Sequence, residues 1–446
     1  MHTTRQLREL DRQYLWHPFT HMRQWLADEP LVITSADGMY LIDSDGKRYL
    51  DAVGSLWCNV HGHRVPEIDA AICAQLKKVA HTTMLGLASE PAILLAERLM
   101  QIVPRSLKKV FYSDSGATAT EVAFKIAAQY WFNQGRKEKC EFIGFSDGYH
   151  GDTVGAMSIG RMPAFHAPHF PMLFPAHFCP SPYVYHSATP DDPAAVKAHC
   201  LEALSRLLEA HGPRIAAVCI EPIVQGAGGI IVHPEGFLRE VRRITAEHDV
   251  LLIADEVATG FGRTGRMFAC EHEGVEPDLL AAAKGISGGY LPLAATFATQ
   301  QIFDAFLGEP WEGRTFFHGH TYTGNPLACA AALASLDLFE RNQLVARVAG
   351  SRLSEMLKPL HDLPHVGEVR QKGFMVGIEL VADRPSRRPF DAKLRTGAAV
   401  CSRIRRHGVI VRPLGDVIVL MPPLAMTEEQ LGEVVDAVHT EVRSIG

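Results

Sequence analysis

The sequence lacks the marks of a disulfide-bonded, zinc-binding, membrane-spanning or nucleic-acid-binding protein. Its nine cysteines are odd in number and form no Cys-x-x-Cys pair, which argues for free thiols in a reducing compartment. The net charge is -6, so no basic footprint for nucleic acid is present. The longest apolar runs, such as residues 250–254, cannot span a bilayer, and residues 1–10 contain no signal-peptide core. We therefore expect a cytoplasmic protein without nucleic-acid or membrane partners.

What is present is the composition of a globular protein, with 47% hydrophobic and 21% charged residues. A chain of 446 residues is long for one compact core, so two domains are expected. We predict a large domain at residues 69–330. A smaller α+β domain would be built from both ends of the chain, residues 1–68 and 331–446.

Between residues 69 and 330, short apolar runs alternate with helical patterns. Four of these runs end at polar or glycine-rich residues: Lys109–Ser113, Glu141–Phe145, Ile215–Ile220 and Val250–Ala254. Such runs predict an α/β fold with a mostly parallel sheet sandwiched by helices. In these sheets ligands bind at the carboxyl ends of the strands. Those ends carry the polar residues Asp114, Ser115, Asp147, Glu221 and Asp255.

Outside this region the pattern changes. Residues 1–68 are hairpin-like, with turn signals at Gly38 and at Asp45-Gly46. Asn325-Pro326 predicts the start of a helix. Beyond it, residues 373–381 and 409–423 look like strands, and Thr427-Glu-Glu-Gln430 has the pattern of a capping box that opens a final helix.

One lysine, Lys284, stands inside the otherwise uncharged run of residues 281–295. Because burying an ammonium group is costly, this lysine either snorkels to water or has its nitrogen committed to a ligand. Asp255 ends a buried run, and Lys284 follows it 29 residues later, about the length of a loop, a helix and a strand. A structural salt bridge between them would leave the glycines that flank Lys284 unexplained.

Pyridoxal phosphate would use both groups. It needs a lysine amine for a Schiff base, an anion beside its pyridine nitrogen, and backbone amides for its phosphate. Lys284 and Asp255 supply the first two. Ser115-Gly116 enters a helical pattern, where it forms either a phosphate cradle or a plain N-cap. Tyr149 is available at the neighbouring strand end to stack on the ring.

Two other patterns point to different chemistry. Residues 260–265, Gly-Phe-Gly-Arg-Thr-Gly, fit the dinucleotide fingerprint, but the residues after them are poor as a helix start. The pairs His61/His63 and His318/His320 could each share a strand face, yet neither has a carboxylate or cysteine at ligand spacing. A dinucleotide oxidoreductase and a metal-dependent hydrolase are therefore the rival hypotheses, and we expect no metal.

The chain resembles the class III, fold-type I aminotransferases over essentially its whole length. The resemblance is carried by Glu221-Pro-Ile-Val-Gln-Gly, Asp255-Glu-Val-Ala-Thr-Gly-Phe-Gly-Arg-Thr-Gly and Lys284-Gly. Trp16-His-Pro-Phe-Thr20 and Phe317-His-Gly-His-Thr-Tyr-Thr-Gly-Asn-Pro326 resemble the branch that serves biotin biosynthesis. The implied reaction is amination of 8-amino-7-oxononanoate, with S-adenosylmethionine or L-lysine as donor. An aminotransferase acting on ω-amines or ω-amino acids is the alternative.

The resemblance also implies roles for individual residues, with Lys284, Asp255 and Tyr149 as the catalytic ones. Those implied to bind pyridoxal 5'-phosphate are Ser115, Gly116, Tyr149, Asp255, Val257, Lys284, His320 and Thr321. Those implied to bind the small-molecule substrates are Phe19, Trp57, Tyr149, Lys284, Gly319 and Arg412. Family members are homodimers with the sites at the subunit interface, where Thr321 would come from the neighbouring subunit.

Two positions depart from the family pattern, and both lie on the substrate side of the site. Most members have a tyrosine that helps to recognise the amino donor where this chain has Phe19. Many also have a Trp-Trp pair where this chain has Leu56-Trp57. The sequence therefore leaves the amino donor open.

Overall fold

The computed structural model describes residues 2–445. Its strands, in chain order, are β1 (Ile33–Asp37), β2 (Tyr40–Asp43), β3 (Arg48–Asp51), β4 (Leu107–Ser113), β5 (Glu141–Phe145), β6 (His177–Cys179), β7 (Ile215–Ile220), β8 (Val224–Gln225), β9 (Ile231–Val232), β10 (Leu251–Asp255), β11 (Leu279–Ala282), β12 (Ala294–Thr299), β13 (Val366–Lys372), β14 (Met375–Leu380), β15 (Val409–Ile410), β16 (Arg412–Leu414) and β17 (Val417–Leu420).

The α-helices are α1 (Thr4–Tyr14), α2 (Met22–Ala27), α3 (Gly54–Trp57), α4 (Pro66–Leu76), α5 (Glu90–Met100), α6 (Gly116–Asn133), α7 (Val154–Ile159), α8 (Pro163–His166), α9 (Pro193–His211), α10 (Phe237–Glu247), α11 (Gln300–Asp304), α12 (Pro326–Arg341), α13 (Leu344–Ala349), α14 (Leu353–Met356), α15 (Thr396–Ile404) and α16 (Glu428–Arg443). None of the helices in residues 2–445 is long and apolar enough to cross a membrane.

The largest sheet within residues 2–445 has seven strands in the order β4-β12-β11-β10-β7-β5-β6. Strand β12 pairs antiparallel with β11 and with β4, whereas β11, β10, β7, β5 and β6 pair parallel with one another. The predicted mostly parallel sheet is therefore confirmed. Strands β5 and β7 have the predicted bounds, whereas β4 begins earlier, at Leu107, and β10 is shifted by one residue.

Helices cover both faces of this sheet. Every residue of β7 is buried, and residues 217–220 of the strand alternate between two hydrophobic clusters. Val218 packs in the cluster that contains Leu238 of α10, whereas Cys219 packs in the cluster that contains Phe124 of α6. Side chains that alternate between two apolar layers explain why the strand has a continuous apolar sequence.

The two ends of the chain meet outside the large sheet. Strand β15 near the C-terminus pairs parallel with β3 near the N-terminus, through Val409 opposite Leu50. This pairing supports a small domain built from both ends, but the boundaries at residues 68 and 330 stay a prediction, and α12 crosses the second one without a break. The strand-like stretch 373–381 is the second arm of a hairpin, β13–β14, which turns at Gly373 with φ 58°.

Helix starts follow the capping residues seen in the sequence. The Thr427 side chain accepts a hydrogen bond from the Gln430 backbone N–H, and the capping box opens α16 as predicted. The Asn325 side chain likewise accepts from the N–H groups of Leu327 and Ala328 at the start of α12.

Gly144 in β5 permits the close approach of α7 to the sheet, because a Cβ there would overlap the carbonyl oxygen of Ile159. Gly144→Ala should therefore push α7 outward and cost about 1–3 kcal/mol of stability. We expect a lower midpoint of thermal unfolding, measured by circular dichroism. The control is Gly432→Ala in α16, where a Cβ meets no atom within 4 Å and alanine favours the helix. An unchanged midpoint for Gly144→Ala would contradict this packing.

Candidate active site

A cavity of about 680 Å³ opens at the carboxyl edge of the large sheet. Strands β4, β5, β7, β10 and β11 all lead into it, because the residues that follow each of them line its walls. The structure thereby brings together these sequence-predicted site residues: Trp57, Ser115, Gly116, Tyr149, Asp255, Val257 and Lys284.

Asp255, the last residue of β10, is 3% exposed. A carboxylate at that depth needs donors, and it has two among residues 2–445. His150 Nδ1–H donates to Asp255 Oδ2 at 2.6 Å, and the Val257 backbone N–H donates to Oδ1 at 3.0 Å. These contacts fix the carboxylate in the wall of the cavity as an anion that can accept a further hydrogen bond.

His150 is the residue that holds Asp255 in place. Burial by itself would lower the pKa of His150, but its contacts with Cys219 and with the Asp255 carboxylate raise that pKa well above the usual value. Cys219 Sγ lies 3.8 Å from His150 Nδ1 in the same buried layer. The hydrogen bond from the imidazole satisfies one oxygen of the buried carboxylate.

Lys284 follows β11 and has a left-handed backbone, with φ 48°. Its Nζ lies 5.1 Å from the centroid of the Trp57 ring. Burial lowers the pKa of Lys284, although the negative charges of Asp255 and Glu221 oppose that shift. A lysine with a lowered pKa has more of its amine in the neutral, nucleophilic form.

The N-terminus of the 18-residue helix α6 faces the same cavity. Ser115 is its N-cap and accepts from the Thr118 N–H at 3.3 Å, while the first N–H groups of the helix have no intrahelical partner. A Cβ at Gly116 would lie 2.5 Å from Val257 Cγ1, so only glycine allows α6 to approach the β10 end this closely. Free amides at the positive end of a helix form a phosphate cradle.

Tyr149 and Glu221 form the wall between β5 and β7. The Tyr149 hydroxyl donates to Asp152 Oδ2 at 2.7 Å, and its backbone N–H donates to Glu221 Oε1 at 3.0 Å. Glu221 also accepts from the Gly226 N–H, and burial raises its pKa to about 7. Because both carboxylate oxygens accept backbone donors, Glu221 fixes the position of Tyr149 relative to the cavity.

Phe19 and Arg412 do not line this cavity but lie together beside it. Phe19 is 55% exposed, and the Arg412 guanidinium is 5.9 Å from the centroid of its ring. Arg412 is half-buried and forms no ion pair with any residue in 2–445, and burial lowers its pKa, with Tyr149 as an opposing neighbour. A half-buried guanidinium without a carboxylate partner can bind the carboxylate of a ligand.

Gly319, His320 and Thr321 also lie outside the walls of the cavity, and Gly319 and Thr321 are exposed. The segment that carries them extends over residues 314–321, and its residues 314–320 run along α6 of the same chain. Gln129 donates to the carbonyl oxygens of Arg314 and Thr315, Lys125 contacts His318, and Asp114 contacts His320 at 2.9 Å. The structure therefore brings this predicted cofactor segment close to Ser115 but not into the same cavity.

The two rival patterns have other roles. Residues 260–265 form turns, and the chain continues into a short 3-10 helix only at Ala269, so the fingerprint opens no dinucleotide-binding helix. His61 contacts Ser335 Oγ at 2.8 Å, and His63 contacts Asp51 at 3.2 Å. No group of three His, Cys, Asp or Glu side chains in the described part of the chain is arranged to hold a metal.

Sequence reasoning assigned no role to His150, Glu221 or Cys58, although all three line the cavity. His150 directly follows Tyr149 and Glu221 directly follows β7, so their places next to predicted site residues were the available signal. Their partners were not visible, because His150 and Asp255 are 105 residues apart in the chain.

These groups fit pyridoxal phosphate on structural grounds. A lysine with a lowered pKa, a buried carboxylate and a glycine-containing helix N-terminus face one cavity, as the cofactor requires. The Trp57 Nε1–H in the wall is buried and has no partner among residues 2–445, which leaves it available to a ligand. The fold and the site together define an α/β enzyme that depends on pyridoxal phosphate.

Comparisons with known proteins identify the family. The family model for class III aminotransferases matches residues 22–442. Adenosylmethionine-8-amino-7-oxononanoate aminotransferase from Geobacter sulfurreducens is 52% identical over 99% of this chain and 98% of its own. The enzyme of the same name from Aquifex aeolicus is 48% identical over 98% and 97%. The chain belongs to the class III aminotransferases.

Solved structures agree with this membership. The adenosylmethionine-8-amino-7-oxononanoate aminotransferase of Methanocaldococcus jannaschii has a TM-score of 0.93 and 42% identity, with 98% of both chains covered. A pyridoxal-phosphate-bound amine transaminase from an uncultivated Pseudomonas species has a TM-score of 0.92 and 40% identity, over 97% of this chain and 99% of that one. The protein is a transaminase, and its cofactor is pyridoxal phosphate.

The lowered pKa of Lys284 can be tested without a substrate. Because the Asp255 carboxylate stabilises the protonated amine, Asp255→Asn should lower the Lys284 pKa further. The measurement is the pH dependence of Lys284 acetylation in the cofactor-free enzyme, read by mass spectrometry, and we expect the midpoint to move to lower pH. Asp436→Asn in α16, which does not line the cavity, is the control. A midpoint that moves up would contradict this electrostatic coupling.

Proposed function

We propose that this transaminase aminates 8-amino-7-oxononanoate to 7,8-diaminononanoate in biotin biosynthesis. The observation that carries the proposal is the similarity over nearly the whole chain to relatives that bear this activity in their names. Arg412 beside the cavity supports it, because the keto substrate ends in a carboxylate and this guanidinium has no ion-pair partner within residues 2–445. The amino donor is S-adenosylmethionine or L-lysine.

The cofactor and the protein side chains would contribute different parts of the reaction. When bound, pyridoxal phosphate supplies a carbonyl carbon and an electron-withdrawing ring that carry the amino group from donor to acceptor. Lys284 Nζ would hold the cofactor and then move the proton between carbon atoms, which its lowered pKa favours. Asp255 would keep a proton on the ring nitrogen, and His150 would keep that carboxylate oriented.

The other cofactor contacts follow from the walls of the cavity. Ser115 and Gly116 would donate to the phosphate from the start of α6. Tyr149 would stack on one face of the ring, and Val257 would press on the other. Val257 is well suited to this, since it packs against a small apolar cluster of Ala119, Ala281, Ala283 and Ala294 that supports it from behind.

On the substrate side, Arg412 would bind the carboxylate of the keto acid through two parallel hydrogen bonds. Phe19 and Trp57 would contact the aliphatic chain between that carboxylate and the reacting carbonyl. The Phe19 ring packs edge-to-face against the Phe165 ring, with 5.7 Å between the ring centroids, so this part of the subsite is apolar. An apolar surface suits a long methylene chain better than the polar part of an amino donor.

The proposal includes a homodimer with two sites at the interface. Large apolar side chains are exposed in the described part of the chain. Phe317 and Tyr322 flank Gly319, His320 and Thr321, and Trp16, Leu85 and Leu87 are exposed elsewhere. An exposed apolar surface of this kind is typical of a subunit interface. Thr321, and with it His320, would then contact the phosphate in the neighbouring subunit. We also propose that the protein is cytoplasmic and that it has two domains, a large one at residues 69–330 and a small one built from residues 1–68 and 331–446.

A second function is an amine transaminase with ω-amine substrates. The observation that favours it is the close match of the fold to the Pseudomonas amine transaminase, at a TM-score of 0.92. Both candidates use the same cofactor half of the site. They differ in which amine reduces the visible absorbance of the bound cofactor.

The reaction is tested first through its two halves. S-adenosylmethionine and L-lysine are added separately to the holoenzyme, and the visible absorbance of the bound cofactor is followed. We expect one of them to discharge it, and 8-amino-7-oxononanoate to restore it with formation of 7,8-diaminononanoate, detected by mass spectrometry. Lys284→Ala should lower this turnover by a factor on the order of a thousand.

The outcomes separate the candidates. A response to lysine alone would make Phe19 and Leu56 determinants of the donor. A response to ω-amines, with none to either proposed donor and no product from the keto acid, would replace the proposal by the second function.

Arg412 has a selective role in this scheme. The carboxylate of the keto acid is far from its reacting carbonyl, whereas that of an α-amino donor is next to the reacting amine. Arg412→Ala should therefore raise the Michaelis constant for the keto acid about 10- to 100-fold and change that for the donor much less. Exposed Arg406→Ala is the matched control. Equal increases for both substrates in steady-state kinetics would refute the assignment.

A further inference from the structure

One row of paired residues crosses the C-terminal sheet, the four-stranded sheet in the order β13-β14-β17-β16. Arg370 of β13 pairs with Gly377 of β14. Gly377 pairs with Val419 of β17, which in turn pairs with Arg412 of β16. Residues paired across neighbouring strands lie on the same face of a sheet, and the strands are about 4.8 Å apart. Arg370 therefore lies on the same face as Arg412, at the other end of the row.

Arg370 fastens its end of the row to the turn between β8 and β9, residues 226–230. Its Nη2 donates to the carbonyl oxygen of Gly229 at 2.7 Å, and its Nε donates to that of Ile230 at 3.2 Å. A Cβ at Gly377, the next residue in the row, would lie 2.9 Å from the same Gly229 carbonyl oxygen. The turn therefore lies directly against the row of paired residues.

A buried network of charges holds the Arg370 side chain, which is 6% exposed. Its Nη1 donates to Glu379 at 2.7 Å and to Glu368 at 2.8 Å. Glu379 also accepts from the Tyr183 hydroxyl at 2.6 Å and contacts His186 Nε2 at 2.8 Å. Burial by itself would raise the pKa of Glu379, but these hydrogen bonds and the charge of Arg370 lower it to about 2. The network therefore stays charged at neutral pH.

The turn at residues 226–230 is also part of the cavity. Ala227 lines the wall, and the Gly226 N–H donates to Glu221 Oε2 at 2.8 Å. A Cβ at Gly228 would lie 2.6 Å from the carbonyl oxygen of Asp147, just after β5. The turn is thus packed between the ends of β5 and β7 on one side and the C-terminal sheet on the other. It fixes the separation between that sheet and the strand ends of the large sheet.

This separation decides which carboxylate ligand fits. In the proposed transamination, on which this inference rests, Arg412 binds the carboxylate and Lys284 lies at the reacting carbonyl, so the chain between them must match a fixed distance. We propose that Arg370 sets the chain length of the keto acid, because it holds the row that ends in Arg412 against the cavity wall. Arg370 does not line the cavity and is a positioning residue.

A series of keto acids tests the proposal on the holoenzyme. 8-Amino-7-oxononanoate is compared with homologues that have one methylene fewer or more between ketone and carboxylate. In the wild type we expect kcat/KM to fall about tenfold for each homologue. Arg370→Lys removes the forked contacts, so this preference should shrink to about twofold, with KM for 8-amino-7-oxononanoate raised about tenfold. An unchanged preference in Arg370→Lys would overturn the proposal.

A loss of stability alone would give a different result. It would lower kcat/KM by one common factor for every keto acid and for the half-reaction with the amino donor, and the proposal would fail. Arg242→Lys in α10 is the matched control, because Arg242 is partly buried, pairs with Asp278 at 2.6 Å and lies outside the cavity walls. This variant should keep the wild-type preference.

Failure of the proposed reaction is recognisable separately. It would show as a wild-type enzyme that forms no product from 8-amino-7-oxononanoate. The same comparison of Arg370→Lys with the wild type is then made with ω-amino acids of different chain length. A preference that Arg370→Lys leaves unchanged there would equally overturn the role of Arg370.

A second readout needs no substrate. Amide hydrogen exchange of residues 226–231, followed by mass spectrometry, reports how firmly the turn is held, since the N–H groups of Gly229 and Ile230 donate to the Gly226 carbonyl oxygen. We expect faster exchange of the turn in Arg370→Lys and unchanged exchange in β10. Equal exchange of the turn in both proteins would contradict the proposal.

A milder variant covers the case in which Arg370→Lys does not fold. Tyr183→Phe removes one hydrogen bond to Glu379 but keeps an aromatic ring 4.9 Å from the Arg370 guanidinium. We expect the chain-length preference to decrease less than in Arg370→Lys, to about fivefold. A full wild-type preference in Tyr183→Phe, together with wild-type exchange of the turn, would overturn the proposal.

Discussion

The structure depends on placing a carboxylate and an amine of opposite charge at the ends of neighbouring buried strands. Asp255 ends β10 opposite Ala281 of β11, and Lys284 lies three residues beyond that partner. Burying either charged group costs free energy. The Asp255 carboxylate stabilises the ammonium form of Lys284, which burial destabilises. His150 and the Val257 N–H satisfy the carboxylate, which leaves the amine as the reactive partner. The parallel sheet supplies the rigidity that this arrangement needs.

Residues close together in the chain were predictable, and residues that depend on distant partners were not. The bounds of strand β7 could be predicted because a continuous apolar run of this length indicates a strand buried on both faces. Asp255 and Lys284 could be singled out because a charged side chain next to such a buried run needs a partner or a ligand. The left-handed turn at residues 54–57 was invisible, since nothing in Ser55-Leu56-Trp57 favours it and its supports come from Asp51 and from Arg263, more than 200 residues away. The resemblance to the family named Trp57 but could not supply its backbone conformation.

The position of residues 314–320 in the proposed dimer also depends on partners that are distant in the chain. It is fastened along α6 by Gln129, Lys125 and Asp114, and Asp114 directly precedes the N-cap of that helix. Helix α6 therefore carries the phosphate cradle of its own subunit at its N-terminus. The same helix holds the segment that is proposed to reach the phosphate of the other subunit. A single chain leaves Thr321 exposed. In the proposed dimer a second copy would cover this residue, and one interface would then serve both sites.

The cofactor half and the proposed substrate half of the site are built in different ways. The cofactor half comes from residues at strand ends of one sheet, where a shift of any backbone segment would disturb the whole core. The proposed substrate half comes from residues 19, 57 and 412, near the two ends of the chain, and Arg263 binds the carbonyl oxygen of Trp57. In the proposed function, the differences at Phe19 and Leu56 would change which donor is bound and leave Asp255 and Lys284 in place. Proteins of similar fold can then act on a keto acid or on simple amines with the same cofactor chemistry.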